Sequence, residues 1–246
     1  MKTPVYFISD IHLKLELDSK ERIRRQKLFR LLDYITETGG TCFFVGDLFD
    51  FYFEYPDLVP KVFNDFYAKA LFMKSKNIEL HFLAGNHDYW VGDFIKNDIM
   101  DKVYLDDLEI TINNKRIFIT HGDGLLSWDH GYRLLKKIIR SKIFTRLFQW
   151  LHPTISFKIA NFISRSGSHN THNEDFNKDV RNELQAKAEK KFENGFDFMI
   201  SGHYHLGELF DLKNGKLAVL GDWFFRPSYA IFDGDDLKIR HWETNE

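Results

Sequence analysis

Five apolar, strand-like segments of this chain each end in Asp, Asn or His. They are "VYFISD" (5–10), "CFFVGD" (42–47), "IELHFLAGN" (78–86), "RIFITHGD" (116–123) and "FDFMISGHYH" (196–205). Between them, residues 22–36 and 59–74 carry apolar side chains at helical spacing, and residues 173–192 form a charged amphipathic segment. This alternation predicts an α/β layer structure with helices packed against a central sheet.

Further β-structure is predicted outside these segments. "EITINNKRIFIT" is typical of a hairpin that turns at Asn113 and Asn114. "KLAVLGDW" and "SYAIFDGDDLKIRHWE" predict the last strands, with the final pair turning around Asp233 and Gly234. A length of 246 residues allows a substantial core, and we expect a single domain over residues 1–246.

Composition limits the partners and the compartment. A formal net charge of −2 gives no overall attraction to nucleic acid, so no stable nucleic-acid partner is expected. The single cysteine, Cys42, cannot form an intramolecular disulfide and fits a reducing compartment. The chain shows no signal-peptide pattern and no run of eighteen apolar residues. We therefore expect a cytoplasmic protein.

The polar residues at the strand ends predict a metal site. In an open α/β sheet, ligands bind beyond the carboxyl ends of the strands, where residues distant in sequence meet. A single His there is usually structural, but five strand ends with the same residue types are hard to explain by coincidence. Burying these groups together without a cation would be unfavourable. The candidate ligands are Asp10, His12, Asp47, Asn86, His121, His203 and His205.

The donor types and their number indicate the kind of centre. Carboxylate, amide oxygen and imidazole, without thiolate, suit Mn, Fe, Zn or Co. Seven ligands are too many for one tetrahedral ion but suffice for two divalent ions if one carboxylate bridges. Such ions, about 3.5–4 Å apart, generate hydroxide and stabilise the attacking and leaving oxygens of a phosphoryl displacement.

The ordered motifs D-x-H, G-D, G-N-H-D, H-G-D and G-H-x-H, within residues 8–205, resemble those of the calcineurin-like metallophosphoesterases. The resemblance implies a sandwich of two mixed β-sheets flanked by helices, with a helical lid insertion. It implies that Asp10, His12, Asp47 and His205 bind one ion, and that Asp47, Asn86, His121 and His203 bind the other. It also implies that His87 contacts the phosphoryl oxygen or protonates the leaving group, while Asp88 holds the His87 tautomer.

A basic and apolar segment lies between two of the ligand motifs. Residues 130–173 contain no Asp or Glu and eight Lys or Arg, and Pro153 predicts a division into helices at about 130–150 and 154–164. One interpretation is a hairpin packed on the core with its basic face in solvent. The other is a lid at about 125–170 that faces anionic lipid, with Phe144, Phe148 and Trp150 lining a groove and Arg and Lys facing outward. The local charge favours the lid.

A narrower resemblance supports the lid. "HGDGLLSWDHGYR", the basic insert, "LGDW" and "SYAIF" are similar to segments of the UDP-2,3-diacylglucosamine hydrolases of lipid A biosynthesis. That family implies cleavage of a glycolipid nucleotide to UMP and 2,3-diacylglucosamine 1-phosphate, with Mn²⁺ as the expected metal, at the cytoplasmic face of the inner membrane. It implies substrate contacts for Asn86, His87, Asp129, Arg165 and His203, with "SGSHNTHN" an alternative to Arg165.

One departure leaves the substrate open. Well-known members of the narrower family read G-N-R-D, whereas this chain reads G-N-H-D. His87 therefore replaces a substrate-binding Arg or marks a relative with different specificity. The alternative function is a metallophosphodiesterase acting on soluble nucleotides or nucleic acid. A binding protein without metal is disfavoured because all seven ligands are present. Asp50, Asp123 and Asp222 are explained equally well as supports of the site or as turn residues.

Overall fold

The first strand, β1 (Val5–Ile8), is buried throughout, and the alternating direction of its side chains sets the layers of the fold. Val5 and Phe7 pack in a core between two sheets, whereas Tyr6 and Ile8 pack in a second core under helices. Successive side chains of a strand point to opposite faces, so a strand that is apolar throughout must be covered on both sides.

A computed structural model describes residues 1–55, 57–152, 154–156, 158 and 174–242. Within them the remaining strands are β2 Thr41–Val45, β3 Glu79–Leu83, β4 Lys102–Tyr104, β5 Leu108–Ile112, β6 Lys115–Thr120, β7 Phe198–Ser201, β8 Leu206–Leu212, β9 Gly215–Gly221, β10 Ser228–Phe232 and β11 Leu237–His241. They form two mixed sheets, ordered β11-β10-β1-β2-β3-β4 and β5-β6-β7-β9-β8. The predicted architecture of two mixed sheets flanked by helices is confirmed.

Helices cover the outer faces of the two sheets and also form the insert. They are α1 Ser19–Thr38, α2 Asn64–Ser75, α3 His130–Ile139, α4 Lys142–Gln149 and α5 Glu174–Glu193, with a 3₁₀ turn at Lys61–Phe63 and a π-helical segment at Phe94–Ile99. Helix α1 starts at Asp18, whose side chain accepts a hydrogen bond from Glu21 N at 2.7 Å. Helices α1 and α2 pack on the first sheet and α5 packs on the second, whereas α3 and α4 belong to the insert.

The parallel strands bring their carboxyl ends together. Strands β1, β2 and β3 are parallel neighbours in the first sheet, and β6 and β7 are parallel neighbours in the second. The loops that carry the candidate ligands follow these five strands. The topology therefore gathers at one end of the sandwich residues that are up to 195 positions apart.

Two strands escaped prediction, and one predicted helix is divided. β4 has only three residues at the edge of its sheet, too few to show a pattern. β8 starts directly after His205, and the charged Glu208 interrupts its apolar pattern. Arg181 of α5 balances this charge, with its Nε donating to Glu208 Oε2 at 2.8 Å. The hairpin at Asn113 and Asn114 is confirmed, with φ values of 49° and 65°.

The insert is helical, but its first helix was predicted too long. The prediction of one helix at 130–150 is wrong because Ser141 accepts a hydrogen bond from Phe144 N at 3.2 Å and starts α4. Residues 154–156 and 158 are helical. The rest of the predicted second helix, Arg165 and "SGSHNTHN" lie outside the described residues. Across the described ranges, no helix has the length and apolar content needed to cross a membrane.

Candidate metal centre

The loops after β1, β2, β3, β6 and β7 bring the seven predicted ligands into one cluster. Three groups have ligand atoms within 4.8 Å of one another: Asp10, His12 and His205; His12, Asp47 and His87; and Asp47, His121 and His203. Asn86 joins them through its Oδ1 atom, which lies 3.0 Å from His121 Nε2.

Asp47 lies between the two sets of ligands. Its Oδ1 atom accepts a hydrogen bond from His87 N at 2.9 Å. Its Oδ2 atom lies 3.3 Å from His121 Nε2 and 3.7 Å from His12 Nε2. One carboxylate oxygen is thus anchored by the backbone while the other faces both sets, which is the arrangement that a bridging carboxylate requires.

Hydrogen bonds orient the imidazoles. His121 Nδ1 lies 3.0 Å from Val45 O, so the proton on Nδ1 is donated to this carbonyl and Nε2 faces Asp47. His205 Nε2 lies 3.2 Å from Asp10 Oδ1. The Nε2 atoms of His121 and His205 therefore point at the Asp47 and Asp10 carboxylates, as in a metal site whose ligands are oriented before the ion binds.

Five of the predicted ligands have left-handed backbone conformation. Their φ values lie between 47° and 69°, in Asp10, His12, Asp47, His203 and His205. This region is unfavourable for residues with a side chain, by about 1–3 kcal/mol each, and such strain concentrates at functional sites. Two glycines allow the loops to approach closely, because an added Cβ at Gly85 would overlap Asp47 Oδ1 and one at Gly202 would overlap Ser9 Oγ.

The charges in the cluster are strongly coupled. Burial alone raises the pKa of Asp10, but His205 and His121 lower this pKa to about 2. Burial opposes the charge on His121, but Asp47 and Asp10 outweigh it and raise the pKa of His121 to about 10. An imidazolium therefore balances the buried carboxylates when no cation is bound. A bound divalent ion would take over that role, and its binding would release protons from the imidazoles.

The residues fit a pair of divalent ions. His12 Nδ1 is buried and makes no hydrogen bond to any described residue, and the buried Asp10 Oδ1 is approached by His205 Nε2 at 3.2 Å. Buried polar atoms are normally paired, so these atoms are available to a ligand or need one. Asp10, His12, Asp47 and His205 would hold one ion, and Asp47, Asn86, His121 and His203 the other. The absence of a thiolate among these donors suits Mn, Fe or Zn.

His87 lies on the open side of the cluster. Its side chain is 30% exposed, against 2% for Asp47, and its Nε2 atom lies 4.0 Å from Asp47 Oδ2. His87 Nδ1 lies 2.7 Å from Asp50 O, and the ring packs edge-on against His12 at 4.8 Å. The side chain can reach a substrate held over the cluster, but it is also close enough to His12 and Asp47 to serve as a ligand.

The prediction that Asp88 holds the His87 tautomer is wrong, because the Asp50 carbonyl does so. The buried Asp88 carboxylate instead accepts hydrogen bonds from Leu48 N at 2.7 Å and Gly85 N at 2.8 Å. Burial raises the pKa of Asp88 to about 7, with a further contribution from Asp47. Asp88 therefore ties together the loops that follow β2 and β3.

The other predicted substrate contacts are placed differently. His203 lies in the cluster, with its backbone N donating to Asp10 Oδ2 at 2.9 Å. Asp129 directly precedes α3, and its carboxyl group interacts with Arg133 and Glu183, outside the three metal groups. Burial raises the pKa of Asp129. Its contact with substrate stays a prediction, as does that of Arg165.

Asp123 anchors the insert beside the cluster, a role that sequence reasoning left open. Tyr132 donates a hydrogen bond to Asp123 Oδ2 at 2.9 Å, and Lys136 Nζ lies 2.8 Å and Arg140 Nη2 3.2 Å from the same oxygen. Arg140 also donates to Gly85 O at 3.3 Å. The spacing of 132, 136 and 140 places these side chains on one helix face and could have indicated a common partner.

The contacts of the insert correct two predictions. Lys136 and Arg140 point inward, so the basic residues do not all face solvent. Phe144 and Phe148 pack on Trp90, at 6.4 Å between ring centroids in each case, whereas Trp150 is 86% exposed. These three residues therefore do not line a common groove. The apolar surface of the insert faces outward instead, through Leu134, Leu135, Ile138, Ile143, Leu147 and Trp150.

Comparison with known proteins identifies relatives of the whole chain. The calcineurin-like phosphoesterase family matches residues 3–207. A UDP-2,3-diacylglucosamine hydrolase of Porphyromonas gingivalis is 30% identical, and the alignment covers 100% of both chains. Proteins of the same name from Proteus mirabilis and Haemophilus influenzae (strain Rd) are each 28% identical. They cover 95% and 92% of this chain and 96% and 92% of their own.

Replacing the central carboxylate should empty the centre. In Asp47→Ala we expect Mn²⁺ content to fall below about one ion per chain, because Oδ2 faces both sets of ligands, whereas Asn86→Ala should lose only one ion. Metal analysis after loading and desalting measures this, with Asp211→Ala, at an exposed position of β8 outside the cluster, as the control. Two ions retained in Asp47→Ala would contradict a bridging role.

Removing His87 should affect turnover without affecting metal content. His87→Ala is expected to reduce turnover by roughly 10²–10⁴-fold, the usual contribution of a positioned proton donor or charge-stabilising group. Metal analysis and steady-state kinetics of the same preparation separate the two effects. Loss of metal would identify His87 as a ligand, and unchanged turnover would exclude a role in the reaction.

Proposed function

The chain belongs to the calcineurin-like phosphoesterase family and is a metal-dependent hydrolase, and from that premise we propose that its substrate is UDP-2,3-diacylglucosamine. Hydrolysis of the pyrophosphate yields UMP and 2,3-diacylglucosamine 1-phosphate, a step of lipid A biosynthesis. The observation that carries the proposal is the 30% identity to a hydrolase of that name over the whole of both chains, insert and C-terminal strands included.

The position of the insert supports a substrate larger than a simple phosphodiester. Helix α3 is joined to the rim of the cluster through Asp123, and Trp90, four residues after Asn86, donates a hydrogen bond to Ile139 O at 3.1 Å. The exposed apolar side chains of α3 and α4 begin next to these contacts. An acyl chain that covers them gains about 0.8 kcal/mol per buried methylene.

The side chains around the cluster suit a pyrophosphate. Two divalent ions, when bound, supply a hydroxide and neutralise the phosphate oxygens. Because His87 Nδ1 donates to the Asp50 carbonyl, Nε2 donates a hydrogen bond or a proton to the reacting phosphoryl group only when the ring is protonated. Burial opposes that charge, but Asp47 and the Asp50 carbonyl outweigh it and raise the pKa of His87. Arg140, held over the Tyr89 ring at 4.2 Å, adds a positive charge at the rim, and Asp88 keeps the two ligand loops in register.

The same surface supports binding to a membrane. Lys137, Lys142 and Arg146 are exposed and flank the apolar side chains of the insert. Each basic residue close to an anionic bilayer adds about 1 kcal/mol of salt-sensitive attraction. The enzyme thus acts as a peripheral protein at the cytoplasmic face of the inner membrane, where an acylated nucleotide sugar is presented.

One observation favours a second function. His87 replaces the Arg that is expected in the narrower family, and an imidazole suits proton transfer to a leaving group better than a guanidinium does. A metallophosphodiesterase that accepts soluble nucleotides or nucleic acid is therefore the alternative. Such an enzyme would gain nothing from the apolar surface of the insert.

A direct assay separates these functions. Mn²⁺-loaded protein should cleave UDP-2,3-diacylglucosamine in mixed micelles with kcat/KM at least about 100-fold above that for bis(p-nitrophenyl) phosphate or a dinucleotide, because acyl burial contributes only to the first. Phosphorus NMR of the products should show UMP and a sugar 1-phosphate. Equal or better cleavage of the soluble substrates would favour the alternative.

Charges on the outer face of the insert should impair the lipid reaction alone. In Ile143→Glu/Leu147→Glu we expect at least a tenfold loss on vesicle-presented substrate, since burying one such side chain contributes about 1.5–3 kcal/mol. Cleavage of bis(p-nitrophenyl) phosphate should change less than about twofold. Ile23→Glu, an equally exposed position on α1, is the control. Equal losses on both substrates would mean that the insert is only structural.

A further inference from the structure

The loop after β9 places two phenylalanines beside the ligands of the first ion. The Phe224 ring lies 6.0 Å from the His12 ring between centroids, and Phe225 lies 6.5 Å beyond Phe224. Phe224 is 38% exposed and Phe225 74% exposed. We call this pair the aromatic shelf. Large apolar rings exposed beside a charged cluster offer a surface on which a flat group of a bound substrate can stack.

The aromatic shelf is fixed relative to the cluster. Asp222 Oδ1 accepts hydrogen bonds from Phe224 N at 2.6 Å and from Phe225 N at 2.7 Å. Trp223 N donates to Asp10 O at 3.3 Å. The loop is therefore tied to the backbone of a predicted metal ligand, and this holds the shelf beside the first set of ligands.

Two cations accompany the shelf. The Arg24 guanidinium lies 4.5 Å from the Phe224 centroid, and Lys14 Nζ lies 5.2 Å from it. Arg24 is held in place because it donates to His12 O at 2.7 Å and to Glu21 Oε2 at 2.9 Å. Aromatic rings with adjacent positive charge are the combination that binds a nucleobase together with its phosphate.

The shelf and the insert border opposite sets of ligands. The insert reaches the second set, with the Tyr132 ring 6.3 Å from the His203 ring, whereas the shelf contacts His12 of the first set. If a pyrophosphate lies over both sets of ligands, the group on one of its phosphates extends toward the insert and the group on the other extends toward the shelf. Resting on the proposed function, which assigns the acylated sugar to the insert, we propose that the aromatic shelf stacks on the nucleobase of the UDP arm.

The test compares two ligands that differ only in the base. UMP and ribose 5-phosphate are used as inhibitors of bis(p-nitrophenyl) phosphate hydrolysis by Mn²⁺-loaded protein. Stacking on an aromatic side chain predicts that UMP binds about 5- to 100-fold more tightly than ribose 5-phosphate. In Phe224→Leu/Phe225→Leu this ratio of inhibition constants should fall below about two, whereas Phe225→Tyr should keep it. Phe72→Leu, an exposed Phe of α2 flanked by Lys69 and Lys76, is the matched control.

Each outcome decides the proposal. Because Phe224 touches His12, metal content is measured in every variant, and Phe225→Leu alone should lower the ratio with metal intact. The proposal is overturned if the wild-type protein binds UMP and ribose 5-phosphate about equally, or if the ratio of their inhibition constants is unchanged in both Leu variants. An unchanged ratio overturns it even where the Leu variants lose binding to anionic vesicles, because the rings would then serve the membrane and not the base. If the Leu substitutions lower this ratio but the wild-type enzyme does not cleave UDP-2,3-diacylglucosamine, the shelf is supported and the proposed substrate is rejected. If the wild-type enzyme cleaves that substrate but the ratio does not change in the Leu variants, the substrate is supported and the shelf is rejected.

Discussion

Two carboxylates, Asp10 and Asp47, lie buried within one cluster, and the surrounding structure serves to balance their charge. Unpaired charges are highly unfavourable in a protein interior. Here imidazoles approach both carboxylates, His205 at 3.2 Å from Asp10 and His121 at 3.3 Å from Asp47. Against the opposing effect of burial, His205 and then His121 lower the pKa of Asp10, and Asp47 and then Asp10 raise the pKa of His121, so the carboxylates of the cluster are stabilised by nearby positive charge.

The fold tolerates strain to build this cluster. Left-handed backbone at five ligands aims their side chains back over the sheet ends, and the loops that carry them approach closely only because Gly85 and Gly202 have no side chain. Asp88 then binds amide groups from both the β2 and β3 loops. The layers of apolar side chains on both faces of each sheet provide the rigidity against which this strain is held.

The residues of the cluster could be predicted from sequence because one rule covers them. Neighbouring parallel strands end at the same edge of a sheet, so Asp10 and Asp47 meet at the edge of the first sheet, and His121 and His203 meet at the edge of the second. The two edges adjoin because the sheets pack face to face, which the strand pattern alone does not specify. The partners of His87 and Arg140 could not be predicted in this way. His87 is held by the Asp50 carbonyl, which reaches it only through the folded path of the β2 loop, and Arg140 turns inward because helix docking offers it Asp123. The His87 contact leaves no periodic trace in the sequence, and the spacing of Arg140 with Tyr132 and Lys136 indicates a shared helix face but not that Asp123 is its partner. The three-residue β4 is too short to show a pattern.

The Asp47 carboxylate faces both sets of ligands, and we infer that it bridges two ions in one centre. Electron paramagnetic resonance of the Mn²⁺-loaded protein, with metal analysis of the same sample, tests it most directly, since ions that share a carboxylate at about 3.5–4 Å are magnetically coupled. We expect two Mn²⁺ per chain and the signal of a coupled pair, with no substantial signal from isolated ions. One ion per chain, or two ions with uncoupled signals, would contradict it.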